Sequence, residues 1–110
     1  MIDSTAVLQA LAHHIGAANG IRGDLLVCEI LGYRNTAAER DLRQAVNDLR
    51  RDGHHICAHP TTGYYLAETA AELDGTCDFL YDRAMASLAQ IAAMKRVALP
   101  DLRGQLKLPT

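Results

Sequence analysis

The chain has 110 residues, 49% of them hydrophobic, with one Phe and no Trp, so it has room for one domain around a modest aliphatic core. No apolar run approaches 18 residues, which excludes a transmembrane helix, and the start MIDSTAVLQALAHH lacks the basic leader of a secretory signal. A formal net charge of −2 gives no bulk attraction for a polyanion. The three cysteines, Cys28, Cys57 and Cys77, are odd in number and form no CxxC pair, so a reduced, cytoplasmic setting is expected rather than a disulfide framework or a zinc ribbon.

Ser4 is placed to cap a first helix whose apolar face is Ala6, Val7, Leu8, Leu11 and Ile15. Gly16 and Asn19-Gly20 make a connector, and Ile21-Arg22 reads as a short extended segment. A second helix opens at Gly23-Asp24, with Asp24 as its cap and Leu25, Leu26, Cys28, Ile30 and Leu31 as its apolar content. It stops at Gly32. After the turn Gly32-Tyr33-Arg34-Asn35 comes the clearest helix of the chain. Thr36-Ala37-Ala38-Glu39 has the form of a capping box. Leu42, Ala45, Val46 and Leu49 then recur at helical spacing on one face, and Arg40, Arg43, Gln44, Asn47 and Arg51 lie opposite. Gly53 closes this helix in a left-handed conformation.

Residues 55–59 read as a strand, Pro60-Thr61-Thr62-Gly63 as a turn and residues 64–67 as the returning strand, which together make a β-hairpin. One of Tyr64 and Tyr65 is expected in the core, because successive strand residues face opposite sides. Thr69 and Glu72 form a second capping box. The helix they start reaches about Val97, with an interruption near Gly75, and Pro100 ends it. The expected organisation is residues 1–67, then a long helix over 68–98, then a flexible tail over 99–110. The fold class is therefore mainly α with a small β-hairpin, plus a long C-terminal helix.

Charge is distributed unevenly. Residues 34–51 carry five arginines against Glu39, Asp41 and Asp48. Residues 72–82 carry four acids and no base, and residues 83–107 carry five bases and one acid. A long amphipathic helix, acidic early and basic late, suits antiparallel pairing with a second copy, and the same gradient is also what an isolated helix prefers.

The stretch LLVCEILGYRNTAAERDLRQAVNDLRRDGHHICAHPTTGYYLA, within about residues 5–67, resembles the winged helix-turn-helix family, in particular small prokaryotic and phage DNA-binding proteins. Its most specific parts are ERDLRQAVNDLRRDG and the following GYYLA. The resemblance implies that residues 36–52 form a recognition helix for the major groove of double-stranded DNA and that the hairpin is a wing. Arg34, Asn35 and Thr36 would then meet phosphate at the helix start. Arg40, Arg43, Gln44 and Asn47 would reach base edges, with Arg51 further along the same side, and Thr61 and Thr62 would contact phosphates from the wing tip. The implied roles are transcriptional regulation or phage replication.

The second reading is a protein-binding winged helix, an adaptor or inhibitor, because fold does not fix function. A metal reading of His55, Cys57 and His59 is weak, since ligands along one flat strand fit tetrahedral zinc poorly; Ile56 and Ala58 are expected to face the core and the His/Cys/His side to be solvated. No P-loop, Rossmann glycine pattern, GxSxG or HExxH is present, so neither catalysis nor a cofactor is expected.

Overall fold

The computed structural model describes residues 2–95, and the chain divides after Thr76 into two compact units. The first contains α1 (Ser4–Leu11), a 3-10 turn (Ala17–Asn19), α2 (Gly23–Leu31), α3 (Ala38–Arg51), β1 (Ile56–His59), β2 (Gly63–Leu66) and the start of α4 (Ala70–Lys95). The architecture is mainly α with a two-stranded antiparallel hairpin and a long C-terminal helix. The predicted helix end at Val97, the stop at Pro100 and the tail of residues 99–110 lie outside the described residues.

The core of the first unit lies where α1, α2 and α3 meet one another. Val7, Leu11, Leu26, Val27, Leu42, Ala45, Val46, Leu49 and Ile56 are all buried there. The face of α3 matches its sequence pattern, because four apolar residues at helical spacing leave one orientation that hides them all. The face of α2 differs from expectation. Val27 is buried, whereas Leu25 is 45% exposed. In a nine-residue helix reading GDLLVCEIL, apolar residues surround the axis, so packing on α1 and α3 selects the face. Ile15 also departs from its expected place: α1 ends at Leu11, and Ile15 is 46% exposed in the connector.

The helix starts correct three predicted caps. Asp3, not Ser4, caps α1, its carboxylate accepting from the Ala6 N–H at 2.8 Å. Asp24 lies within the first turn of α2 rather than at its cap, which is Arg22. At α3 the capping box at Thr36 does not form. The chain makes a tight turn first, with Ala38 N–H donating to the Asn35 carbonyl and side chain and Glu39 N–H to the Thr36 carbonyl. Asn35, one residue before Thr36, thus satisfies the N–H of Ala38, where the regular helix begins. The other end is as expected. Gly53 has φ +95°, Gly53 N–H donates to Arg50 and His54 N–H to Leu49, a Schellman closure.

In the hairpin Ile56 pairs with Leu66, Cys57 with Tyr65, Ala58 with Tyr64 and His59 with Gly63. The free edge of β2 is covered by the connector between α1 and α2. Ile21 exchanges both backbone hydrogen bonds with Tyr64, and Gly16 N–H donates to Leu66, whose N–H donates to His14. The extended Ile21-Arg22 segment is therefore a one-residue third strand, and β2 is left without an open edge. Its close approach demands glycine at two places. A Cβ on Gly20 would collide with the Thr62 carbonyl. One on Gly63, which also has φ +82°, would collide with the Ile21 carbonyl. His14 holds the connector to α2: its Nδ1–H donates to the Asn19 carbonyl at 2.8 Å and its Nε2 lies 2.9 Å from the Glu29 carboxylate.

The start of α4 is knitted into this unit. Thr69 Oγ1 accepts from Glu72 N–H, as a cap should. The Glu72 carboxylate accepts from Glu68 N–H at 2.8 Å and from Ala17 N–H at 2.9 Å. Those two backbone bonds, the Ala17 one first, hold its pKa below the ordinary carboxylate value. Cys57, fully buried, donates its thiol to the Glu72 carbonyl, and Tyr65 and Thr76 are buried as well. Burial, with Cys57 and Glu72 nearby, pushes the Tyr65 phenol up. Helix α4 runs through Gly75 without the expected interruption. In the second unit Leu88 is buried, and Met85, Ile91 and Ala92 are half-buried. Phe79, Leu80, Tyr81 and Met94 are exposed, and the Arg83 guanidinium lies 5.8 Å from the Phe79 ring centroid.

Candidate nucleic-acid interface

Five side chains predicted to read bases or support them, Arg40, Arg43, Gln44, Asn47 and Arg51, are all exposed on α3. At 3.6 residues per turn, Arg40, Gln44, Asn47 and Arg51 fall within about 60° of one another, directly opposite the buried face. Arg43 lies to one side of this row, together with Arg50. Asp41, Asp48 and Asp52 lie to the other. The two flanks are unlike. Arg50 is half-buried, and its Nε–H donates to the Ile56 carbonyl at 2.9 Å, so the basic flank faces the hairpin. The acidic flank faces the start of α1, where a cleft of about 300 Å³ is lined by Asp3, Asp41 and Asp48 together with Ile2, Ser4, Gln44 and Ala45.

Asp48 also reaches into the row. Its carboxylate accepts from Gln44 Nε2 at 3.0 Å and from an Arg51 guanidinium N–H at 3.2 Å. Arg40, Arg43 and Asn47 make no side-chain hydrogen bond among the described residues.

The group before α3 is organised differently from its prediction. Asn35 spends its side-chain oxygen on Ala38 N–H. Arg34 points to Asp24 at 3.4 Å, and Arg22 grips the same carboxylate with two N–H groups, at 3.1 and 3.2 Å. A cleft of about 290 Å³ beside them is lined by Asp24, Arg34, Asn35, Thr36 and Glu39. Arg22 hydrogen bonding and charge hold the Asp24 carboxyl below its usual value against partial desolvation, with Arg34 contributing. Sequence reasoning missed Arg22 and Asp24 as members of this group. The only signal was their two-residue spacing, which does not say that Arg34 joins them across the turn.

At the wing tip Thr61 is exposed, and its N–H donates to His59 Nδ1 at 3.1 Å. Thr62 turns inward. Its Oγ1 is enclosed and has no hydrogen-bond partner among the described residues, so Thr61 alone presents a hydroxyl to the surface. The expectation that Cys57 shares a solvated face with His55 and His59 is corrected: Cys57 is fully buried while both histidines are exposed. Cys57 lies over the start of α4, which supplies a second core on the side of the hairpin that the sequence reading left open to water. No group of three or more His, Cys, Asp or Glu side chains converges to hold a metal ion among the described residues. No helix among them is long and apolar enough to cross a membrane.

Comparison with protein-family models, curated proteins and solved structures gives no match to this chain.

Proposed function

We propose that the protein is a non-catalytic binder of double-stranded DNA of the winged helix-turn-helix type, acting in transcriptional regulation or phage replication in the cytoplasm. The observation that carries this reading is the row Arg40, Gln44, Asn47 and Arg51. These four residues stand proud of a helix whose opposite face is locked in the core, and a hairpin is docked on the basic side. Arg is suited to guanine, and Asn or Gln to adenine, through paired hydrogen bonds in the major groove. The hairpin offers Thr61 and the exposed His59, with exposed His54 and His55 just before it, in place of Arg or Lys, so phosphate contacts are few and a single copy binds weakly.

A second copy compensates. The exposed Leu80 and Tyr81 on α4 lie beside Asp78 and Asp82, and Arg83 and Lys95 follow. Antiparallel pairing of two such helices covers the apolar side chains and sets the acids of each against the bases of the other. A protein partner is the alternative ligand for α3. The observation favouring it is Asp48, which ties up Gln44 and Arg51 and adds an acidic border to the row.

Gel-shift titration against duplex DNA at two salt concentrations tests the proposal. Binding that weakens steeply as salt rises is expected, and replacing both Arg40 and Arg43 by Ala weakens it with no loss of folded structure. Absence of binding at low salt, or equal affinity for wild type and the double variant, overturns the reading and leaves the protein-binding alternative.

A further inference from the structure

We propose that Asp24 is a built-in stand-in for a nucleic-acid phosphate, its carboxylate filling the space between Arg22 and Arg34 that a backbone phosphate takes when duplex DNA binds. The inference rests on the DNA-binding reading and adds to it a contact residue, Arg22, and a residue that holds affinity down.

The geometry is that of anion recognition. Arg22 approaches the carboxylate through Nε and one terminal nitrogen, the forked arrangement that guanidinium also uses toward phosphate, and Arg34 adds a third N–H. Both arginine side chains remain largely open to solvent, 65% and 79% exposed, whereas Asp24 is 30% exposed. The acceptor is thus tucked behind two cations whose outer faces look outward. The trio is placed at the start of α2 and immediately before α3, beside the cleft at the α3 N-terminus.

Exchange between the two anions is cheap in both directions. Solvent-exposed ion pairs are held weakly and are screened by salt, so the arginines can turn from carboxylate to phosphate with little penalty. While Asp24 is ionised the trio carries a net +1 toward DNA, and with Asp24 neutralised it carries +2. The carboxylate therefore lowers the sequence-independent share of binding and leaves the base-reading row untouched, which raises the relative weight of specific contacts.

The test is a fluorescence anisotropy titration of a mixed-sequence duplex of about 25 base pairs across a salt series. Four proteins are compared: wild type, Asp24→Asn, Arg22→Ala, and Asp74→Asn as a control that changes net charge equally on α4. Asp24→Asn is expected to bind about threefold tighter or better at low salt, with a salt dependence steeper by about one ion. Arg22→Ala is expected to bind more weakly, with a dependence shallower by about one. A melting curve for each variant checks folding, and the Arg22→Ala arm stands even if Asp24→Asn is destabilised. Wild-type binding with Asp24→Asn no tighter than Asp74→Asn, or with Arg22→Ala unchanged, overturns this inference alone. Failure of every protein to bind at low salt overturns the DNA reading, and this inference with it.

Discussion

Among single residues, Glu72 does the most connecting. Its carboxylate holds two backbone N–H groups, one just before α4 and one in the connector after α1, at Ala17, which lies 55 residues before Glu72 in sequence. A carboxylate whose folded pKa is lowered contributes stability that is fully present above its unfolded pKa and is lost as pH falls through the folded value. Glu72→Gln is therefore expected to lower the denaturation midpoint at neutral pH, and the gap from wild type should close as the pH drops below the ordinary carboxylate range. Urea titrations at pH 7 and near pH 3 check this; a gap that is the same at both pH values contradicts it. The sequence showed Thr69 and Glu72 as a cap but not the partner at Ala17, because a bond to backbone so far away leaves no local spacing. At Thr36 the opposite occurred. A well-formed capping motif was legible, and Asn35 took its role, since an Asn side chain one residue earlier satisfies the same first turn.

Elements were most legible where periodicity was strict. α3 and its buried face follow from the spacing of Leu42, Ala45, Val46 and Leu49, and its closure follows from Gly53. The hairpin follows from the Pro/Gly turn. The third strand was legible only as an extended dipeptide, because one paired residue, Ile21, carries no alternation to read. Its docking can nevertheless be tested through Gly63. Left-handed φ and contact with the Ile21 carbonyl act together there. Gly63→Ala is expected to destabilise the first unit by about 2 kcal/mol or more, through backbone strain and lost pairing with Ile21. Thermal or chemical unfolding measures it. Hydrogen exchange at the Ile21 and Tyr64 amides should rise first. Unchanged protection at both amides would show that the bridge does not depend on the glycine.

For the whole molecule, the distribution of charge says more than its total. A net charge of −2 hides a basic row and hairpin flank on α3 bordered by three aspartates. The candidate site was legible as a set of residues; which of its members are already engaged was not. Asp24 and Asp48 engage Arg22, Arg34, Gln44 and Arg51 through geometry that only the folded chain provides. The proposed antiparallel pairing through α4 predicts a dimer by light scattering at micromolar concentration, and Leu80→Glu with Tyr81→Glu is expected to give a folded monomer with weaker DNA binding. A wild-type monomer at such concentrations removes the pairing from the proposal.

The bonds that Glu72 makes also bear on how the protein can be cut. The hairpin ends at Leu66, and the sequence pattern invites a shortened version that stops there. Such a fragment would lack Glu72 and Thr76, leaving Ala17 N–H without its acceptor and opening Cys57 and Tyr65 to water. Its newly accessible thiol would be prone to oxidation and its surface to self-association. The smallest version worth expressing therefore runs past Thr76, and the reactivity of Cys57 toward a thiol reagent is a simple gauge of whether a given shortened chain has kept its start of α4 in place.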